Sequence, residues 1–457
     1  MEFAGQSVLV LGAGVSGRSA AHFLAERGAR VTLADERPAD SIAGRDDLAT
    51  GIEILFGQPF PELAPFDLVV PSPGIPAARW TGRAGRVWGD IELCFRNLPV
   101  PIIAVTGTNG KSTVVRLIEA MARAAGLRAC AAGNLGIPAL DLVGQALDLA
   151  ILEVSSFQLE SVDAFRPRTA VLLNLSPDHL DRHGDLAGYH AAKARIFARQ
   201  GAGDSAVLNG DDPQVAGIRL PDDVERLEFR RHKPSSAGAW LDGRNAIVRR
   251  RNRSQSVPLE DAPALAHQDD NLLAAFLALA TLDVDLVAAS GALASFEGLP
   301  HRCQSVAQID GVRYVDDSKA TNLGAAARSL ETLPGPIVWI AGGRHKGGDL
   351  AALAESASGR VRCALLIGEA AGLLEEALGD SVRCERVGDL AKAVERAAAI
   401  AVRGDLVLLA PACASFDQFD SFEDRGRQFQ VAVNTLASSA ATPPPRKQGT
   451  GRKGGRT

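Results

Sequence analysis

The chain has 457 residues, of which 46% are hydrophobic and 23% charged, with a formal net charge of -5. This is the composition of an ordinary globular protein long enough for roughly three domains of about 150 residues, and its mild acidity gives no reason to expect nucleic-acid binding. Six scattered cysteines without a Cys-x-x-Cys pair argue against a zinc site or disulfide framework; with no basic leader and no apolar run of membrane-spanning length, a cytoplasmic protein is expected.

The first elements are short and regular. Gln6-Ser-Val-Leu-Val-Leu-Gly12 reads as a buried strand, Gly12-Ala-Gly14-Val15-Ser16-Gly17 opens a helix running to Gly28, and Ala29–Ala34 is a second strand ending at Asp35. This is a dinucleotide fingerprint, with glycines for the turn and close phosphate approach and an acid about 20 residues on for a ribose hydroxyl. It supports a diphosphate near Gly14–Gly17 whichever nucleotide carries it, so a nicotinamide dehydrogenase is one reading among several. Asp67-Leu-Val-Val-Pro-Ser-Pro-Gly74 is a later strand with its loop at the same sheet edge.

A boundary is expected near Asn97. Beyond it, Val100–Thr106 is a β-branched apolar run that ends in Gly107-Thr108-Asn109-Gly110-Lys111-Ser112-Thr113. Val114, Val115, Leu117, Ile118 and Met121 then recur at helical spacing. Strand, glycine loop, Lys-Ser/Thr and helix describe a phosphate cradle, in which amides and the helix N-terminus face the anion and a hydroxyl reaches Mg²⁺. The loop is short, with two residues between its glycines where the usual form has four. Asp148-Leu-Ala-Ile-Leu-Glu153 is a second buried strand, and its terminal carboxylate stands where such proteins hold Mg²⁺.

Thr169–Asn174 leads into a polar cluster, Ser176-Pro-Asp178-His179-Leu-Asp181-Arg182-His183. His179 and His183 are four apart, but no glutamate and third ligand complete a zinc set, so one histidine in a Mg²⁺ or substrate shell is the better reading. Tyr189–Phe197 reads as a helix, on which Lys193 by itself would be a solvated lysine. Residues 219–257 read as short hairpins and Arg249–Arg253 as a solvated basic turn. Asp269 or Asp270 is expected to cap the helix Leu272–Leu282, and Asn271 to cap or to bind. Phe296–Arg302 is a Pro/Gly hinge into a third α/β unit, where polar clusters follow the strands at Asp316–Asn322, Gly342–Lys346 and Pro411–Ser415. Cys413 reads as a small buried residue rather than a nucleophile. Residues 438–457 read as a disordered basic tail.

Five blocks in order resemble the Mur ligase family of bacterial peptidoglycan synthesis, up to about Leu436. They are Gly107–Thr113, Glu153-Val-Ser-Ser-Phe-Gln158, Asn174-Leu-Ser-Pro-Asp-His179, Asp317-Ser-Lys-Ala-Thr-Asn322 and Pro411-Ala-Cys-Ala-Ser415. The short phosphate loop is the family's own form. The resemblance implies an α/β chain of three domains: a Rossmann-like domain at 1–97 for the uridine-nucleotide substrate, a central P-loop ATPase domain with a mostly parallel sheet at 98–298, and a Rossmann-like amino-acid-binding domain at 299–437. The implied activity is ATP-dependent amide bond formation through an acyl phosphate, adding D-glutamate to UDP-N-acetylmuramoyl-L-alanine, by a monomer that uses two Mg²⁺ ions and neither membrane nor nucleic acid. Carried over by position, Gly107–Thr113 with Asn271, Arg302 and Asp317 would bind ATP. Ser112, Thr113, Glu153, His179 and a carbamylated Lys193 would hold the metals, and Lys111, Glu153, His179 and Lys193 would be catalytic. Gly14, Val15, Ser16, Gly17, Asp35, Arg37, Gly74, Asn134, Ser155 and Gln158 would hold the uridine-nucleotide substrate, and Lys319, Thr321, Lys346, Ser415 and Phe422 D-glutamate.

The alternatives are a family member adding another amino acid, a dehydrogenase, and a nucleotide-switched binding protein. The fingerprint resembles the D-glutamate-adding branch more than the L-alanine-adding one, and the Asp-Asn-Pro-Arg block of diaminopimelate-adding relatives is absent from the sequence. A dehydrogenase would leave the phosphate loop without a role, and a switch would leave the polar clusters of the third unit without one.

Overall fold

The computed structural model describes residues 3–259 and 268–441, in two compact units divided after Gly298. In the first unit, β1 (Ser7–Leu11), β2 (Arg30–Asp35), β3 (Glu53–Phe56) and β4 (Leu68–Pro71) form a parallel sheet in the order β3-β2-β1-β4. Helix α1 (Val15–Ala25) buries Gly17, Ala20, Ala21, Phe23 and Leu24, one stripe at helical spacing. Because β1 has β2 on one side and β4 on the other, the strand order reverses there, and a crevice opens at the carboxyl ends of β1 and β4.

Helix α2 (Asp90–Asn97) leads into a nine-stranded sheet of β5 (Ile102–Thr106), β6 (Ala129–Gly133), β7 (Leu149–Glu153), β8 (Thr169–Leu172), β9 (Ser205–Asn209), β10 (Glu225–Phe229), β11 (Gly238–Asp242), β12 (Asn245–Arg250) and β13 (Arg253–Pro258). Its order is β13-β12-β11-β10-β9-β8-β5-β7-β6, so β5 sits at a second reversal. Helices α3 (Lys111–Ala124), α4 (Ser156–Leu159), α5 (Leu180–His183), α6 (Leu186–Ala194), α7 (Pro213–Ala216), α8 (Asp269–Ala280) and α9 (Leu286–Ser290) complete the unit. Val114, Leu117, Ile118 and Met121 of α3 pack with Leu272, Phe276 and Leu279 of α8 against Ile103, Val105 and Val171. The parallel strands are apolar on both faces because helices cover both.

Three expectations change here. The hairpins expected over 219–257 are part of the phosphate-binding sheet: β10 pairs in parallel with β9 and β11, and only β11-β12-β13 is an antiparallel meander. Arg250 in the expected solvated turn is buried, with its guanidinium bonded to Glu225 at 2.7 and 3.0 Å and to the Ala280 carbonyl at 3.0 Å. Neither Asp269 nor Asp270 caps α8; both lie in its first turn, one step after Gln268 at the N-cap, where their charge still complements the helix dipole. One apolar cluster runs across residue 97, from Val8, Val10 and Leu33 through Ile91, Cys94 and Leu98 to Ile102, Ala104 and Leu152.

The second unit holds β14 (Gln304–Ile309), β15 (Val312–Asp316), β16 (Ile337–Gly342), β17 (Val361–Ile367), β18 (Cys384–Gly388) and β19 (Leu406–Leu409), in the order β14-β15-β19-β16-β17-β18. Only β14 is antiparallel to its neighbour. The helices are α10 (Leu323–Thr332), α11 (Ala351–Ala357), α12 (Ala371–Leu378), α13 (Leu390–Ile400) and α14 (Phe422–Ala441). Fully buried Trp339 anchors the core and donates its indole N–H to the Ala410 carbonyl at 2.8 Å. Helix α14 continues through residue 438 to Ala441, so the tail does not begin where expected; the rest of the expected tail, 442–457, lies outside the described residues. Among the described residues no helix is long and apolar enough to cross a membrane.

Candidate active site

The loop after β5 is held open by its neighbours. Gly110 has φ +85, and a Cβ there would lie 2.7 Å from the Asn271 side-chain oxygen, so the close approach of α8 requires glycine. Asn174, just past β8, clamps the loop from the other side. Its carbonyl accepts from Thr108 N at 3.0 Å, its Oδ1 from Asn109 N at 2.8 Å, and its Nδ2 donates to the Asn109 carbonyl at 3.0 Å. Lys111 folds back onto the loop, and its Nζ donates to the Gly107 and Thr108 carbonyls at 2.8 Å. Ser112 and Thr113 are buried in the first turn of α3, where amides and helix dipole favour an anion.

Two buried charged groups flank this loop. Glu153 ends β7 and is 2% exposed. Its Oε1 accepts from Asn134 Nδ2 at 2.8 Å, while Oε2 is buried and has no hydrogen-bond partner among the described residues. A buried carboxylate oxygen left unpaired is costly unless a cation meets it. Lys193 of α6, read in isolation as a solvated lysine, is instead 2% exposed. Its Nζ donates to the Gly107 carbonyl at 2.9 Å and lies 4.7 Å from the Tyr189 ring centre. Burial above all, and then the like charge of Lys111, push its pKa well below the usual lysine range, against the attraction of Asp178 and Glu153. Tyr189 donates its hydroxyl to Thr108 Oγ1 at 3.1 Å, tying α6 to the loop.

The two histidines sit in different surroundings. His183 is tucked in, with Nε2 3.1 Å from Ser156 Oγ and its pKa lowered chiefly by burial. The His179 side chain is 41% exposed and sits at the N-terminus of α5 with φ +53, its ring 4.8 Å from that of Phe157. A positive φ outside glycine marks a residue held in place by its surroundings. Among the described residues no three His, Cys, Asp or Glu side chains converge into a metal cage. The unpaired Glu153 carboxylate oxygen beside a phosphate loop would fit Mg²⁺, which takes a few carboxylates and completes its shell with phosphate and water.

On the first sheet the fingerprint is built as expected, with one twist. A Cβ on Gly17 would lie 1.8 Å from the Gly12 carbonyl oxygen and 2.6 Å from Ser72 Oγ. Ser72 Oγ donates to that carbonyl at 2.8 Å, joining the loops after β1 and β4. Asp35, expected to face a ribose, is occupied: it accepts from Ala13 N at 2.8 Å and from Arg37 at 2.7, 2.9 and 3.0 Å. Burial opposes its ionisation, but the Arg37 side chain and the Ala13 amide together lower its pKa to about 2. Gly74 is reached from α5 by Arg182, which donates to the Gly74 and Ile75 carbonyls at 3.3 and 3.0 Å and pairs with Glu160 at 2.6 Å. Val15 and Ser16 open α1. Ser155 and Gln158 form a capping box at α4, which serves the fold whatever else they contact.

In the second unit the expected residues gather on the loops after β15, β16 and β19. Asp317 is buried, accepts from Ser329 Oγ and from Cys303 N, and has its pKa raised by burial. Lys319 lies with its Nζ 4.0 Å from the Phe422 ring centre, its amide donating to the His301 carbonyl at 3.0 Å. Thr321 N donates to the Lys319 carbonyl at 2.7 Å, Ser415 is buried, and Arg302 and Lys346 stand on the flanking loops. Cys413 is buried with its pKa pushed up to about 12, as befits a packing residue. Fully buried Arg425 joins two of these loops, donating to Ser318 Oγ and O at 3.0 and 2.9 Å and to the Cys413 carbonyl at 3.2 and 3.3 Å.

The structure thus brings Gly107–Thr113, Asn134, Glu153, Lys193 and Asn271 together at one sheet edge, and the fingerprint residues at another. The roles of Asn174, Tyr189, Arg182 and Arg425 were missed by sequence reasoning. A polar residue directly after a buried strand was a usable signal for Asn174. Arg425 carried none, because an arginine in a helix is usually solvated.

Comparisons with known proteins agree with this layout. Family models match the chain three times: "Mur ligase MurD-like, N-terminal domain" at residues 6–81, "Mur ligase middle domain" at 105–260, and "Mur ligase, glutamate ligase domain" at 301–413. A UDP-N-acetylmuramoylalanine--D-glutamate ligase of Pelotomaculum thermopropionicum is 41% identical, covering 95% of this chain and 99% of its own. One from Methylobacillus flagellatus is 42% identical, covering 94% and 97%. Among solved structures, a pseudomurein peptide ligase type C from Methanothermus fervidus superposes with TM-score 0.60 at 18% identity, over 94% of this chain and all of that one. A MurF ligase from Thermotoga maritima in complex with ADP gives 0.58 at 18% identity, over 95% and 96%. At that identity the structures speak to the fold.

Proposed function

The chain belongs to the Mur ligase family, whose members are ATP-dependent ligases, and we propose that it joins D-glutamate to UDP-N-acetylmuramoyl-L-alanine with formation of ADP and phosphate. Near-full-length relatives at about 40% identity carry that activity in their names. The observation that carries the reading is the unpartnered, buried Glu153 Oε2 at the same sheet edge as a phosphate loop braced by the buried Lys193.

The amides of 107–113 and the N-terminus of α3 cradle the ATP phosphates, with Asn271 beside Gly110. Lys111, released from the Gly107 and Thr108 carbonyls, turns its charge to the γ-phosphate. There it offsets the repulsion between that phosphate and the alanine carboxylate of the substrate. The carboxylate oxygen takes the γ-phosphoryl group, giving an acyl phosphate and ADP. The amine of D-glutamate then attacks the acyl carbon, and the tetrahedral intermediate expels phosphate. The chain's work is charge neutralisation and alignment. Ser112 or Thr113, Glu153, His179 and Lys193 are the groups assigned to two Mg²⁺ ions, which supply charge neutralisation at the phosphates when bound. The depressed pKa of Lys193 favours the neutral amine that forms a carbamate with carbon dioxide, turning a cation into an anionic oxygen donor.

The fingerprint, with Arg37 and Gly74, takes the uridine diphosphate, and Asn134, Ser155 and Gln158 the muramoyl-alanine part. Lys319, Thr321, Lys346, Ser415 and Phe422 offer cations, hydroxyls and a ring to the D-glutamate carboxylates. The protein acts in the cytoplasm as a monomer. Phosphate release with ATP, Mg²⁺ and UDP-N-acetylmuramoyl-L-alanine, screened over D-glutamate, L-alanine, L-lysine and diaminopimelate, tests the reading. Release with D-glutamate alone is expected; equal or greater release with any of the others refutes the assignment.

A further inference from the structure

Asp90, the first residue of α2, lies outside every motif discussed so far. It is 4% exposed, and its two oxygens are engaged separately. Oδ1 accepts from the Ile91 amide at 3.0 Å, and Oδ2 accepts from Gln158 Nε2 at 2.9 Å. The Ser16 hydroxyl, in the first turn of α1, supports the same carboxylate. The far end of the Gln158 amide, Oε1, accepts from Ser155 N at 3.0 Å and Ser155 Oγ at 3.2 Å. The segment is anchored alongside, because Gly89 N donates to the Ser161 carbonyl at 3.0 Å.

This chain of bonds has a direction. A carboxylate at residue 90 can only accept, so the carboxamide nitrogen of Gln158 must face it and the carboxamide oxygen must face Ser155. Burial by itself pushes the Asp90 pKa up, and the donors from Gln158, Ile91 and Ser16 oppose that rise. The link also joins two places of separate expected function: Ser16 belongs to the glycine fingerprint on the first sheet, and Ser155–Gln158 to the turn after β7 on the second.

We propose that Asp90 is a positioning residue for the uridine-nucleotide substrate, coupling the diphosphate-binding fingerprint to the Ser155–Gln158 turn by fixing the orientation of the Gln158 amide. This rests on the reading of the substrate given above. One substrate molecule that spans both places benefits from their being held at a set separation, because less ordering is left to the binding step. ATP and the amino acid make no use of that link.

The test is a reciprocal exchange. Asp90→Asn presents an amide nitrogen to Gln158 Nε2 and forces one of the two amides to turn. Gln158→Glu keeps the capping box, since glutamate accepts from Ser155 as well as glutamine does, but sets two carboxylates against each other. Each single variant is expected to raise KM for UDP-N-acetylmuramoyl-L-alanine about tenfold or more, the scale for misdirecting a buried charge-assisted hydrogen bond. KM for ATP and for D-glutamate should stay within about twofold. The double variant D90N/Q158E restores one donor facing one carboxylate and should bring the first KM at least about threefold below that of Q158E alone, whatever direct contact residue 158 makes with the substrate. An unchanged KM in either single variant overturns the proposal, as does a double variant no better than Q158E alone, or a parallel rise in all three KM values. If D90N does not fold, Q158E and the double variant decide it alone. Failure of the underlying reading looks different: wild-type protein would then release no phosphate in response to the uridine nucleotide.

Discussion

The two glycine loops of the first unit are built alike and differ in what is left unsatisfied around them. Each follows a parallel strand at a reversal of strand order and opens a helix. Around Gly12–Gly17 the polar groups are closed off, with Asp35 saturated by Ala13 N and Arg37 and the Gly12 carbonyl taken by Ser72. Around Gly107–Gly110 the balance is open: a buried carboxylate oxygen lacks a partner, and two lysines are turned onto loop carbonyls. A closed loop suits a handle that binds and does not react. An open one suits a site whose charges are completed by ATP, metal and reacting groups.

The comparison can be broken most sharply at Lys111. Lys111→Met should lower kcat about 10²–10³-fold, on the scale of losing one preorganised donor to developing charge, with KM for the uridine nucleotide little changed; steady-state phosphate release checks both. At the other loop, Gly17→Ala should cost about 2–3 kcal/mol of stability by overpacking against the Gly12 carbonyl and Ser72, read as a lowered urea midpoint with loss of uridine-nucleotide binding. Glu153→Gln should raise the Mg²⁺ concentration for half-maximal rate at least about tenfold. It should also stabilise the metal-free protein by roughly 1 kcal/mol, because the unpartnered buried oxygen no longer belongs to a carboxylate; calorimetry with and without Mg²⁺ separates the two effects.

Asp35→Asn should cost about 1 kcal/mol at neutral pH, discounted because Arg37 is more than half exposed. The Asp35 pKa is depressed in the folded state, so its contribution is present above the unfolded value of 3.8 and is lost as pH falls toward about 2. Wild-type and variant urea midpoints should therefore converge over that window. Gly14→Ala is the control with the smallest effect: φ at Gly14 is -69° and a Cβ meets nothing within 4 Å, so stability should change by less than about 0.5 kcal/mol.

Those two glycines also mark how far the sequence could be read. Strand, loop and helix were legible at both sites because apolar runs and helical spacing report burial directly, and the five motif blocks carried the resemblance from which the candidate site residues were taken. The motif could not say which glycine is sterically required, since Gly17 is pinned by a carbonyl and a serine contributed from distant chain positions. Lys193 was reachable through the resemblance but not from its own pattern, for the same reason. Its burial comes from Gly107 and Tyr189, which its helical pattern does not reveal. The meander beyond β10 was legible as hairpins but not as an extension of the central sheet, because strand pairing across 20 residues leaves no local signature.

In the proposed reaction the open loop passes the γ-phosphate of ATP to a carboxylate. Substrate carrying heavy oxygen in its alanine carboxylate tests this directly, with mass spectrometry of the phosphate released during turnover with D-glutamate. One labelled oxygen is expected in each phosphate, because the expelled group leaves with the oxygen that joined it to the acyl carbon. Unlabelled phosphate, with amide product still forming at the normal rate, would contradict it.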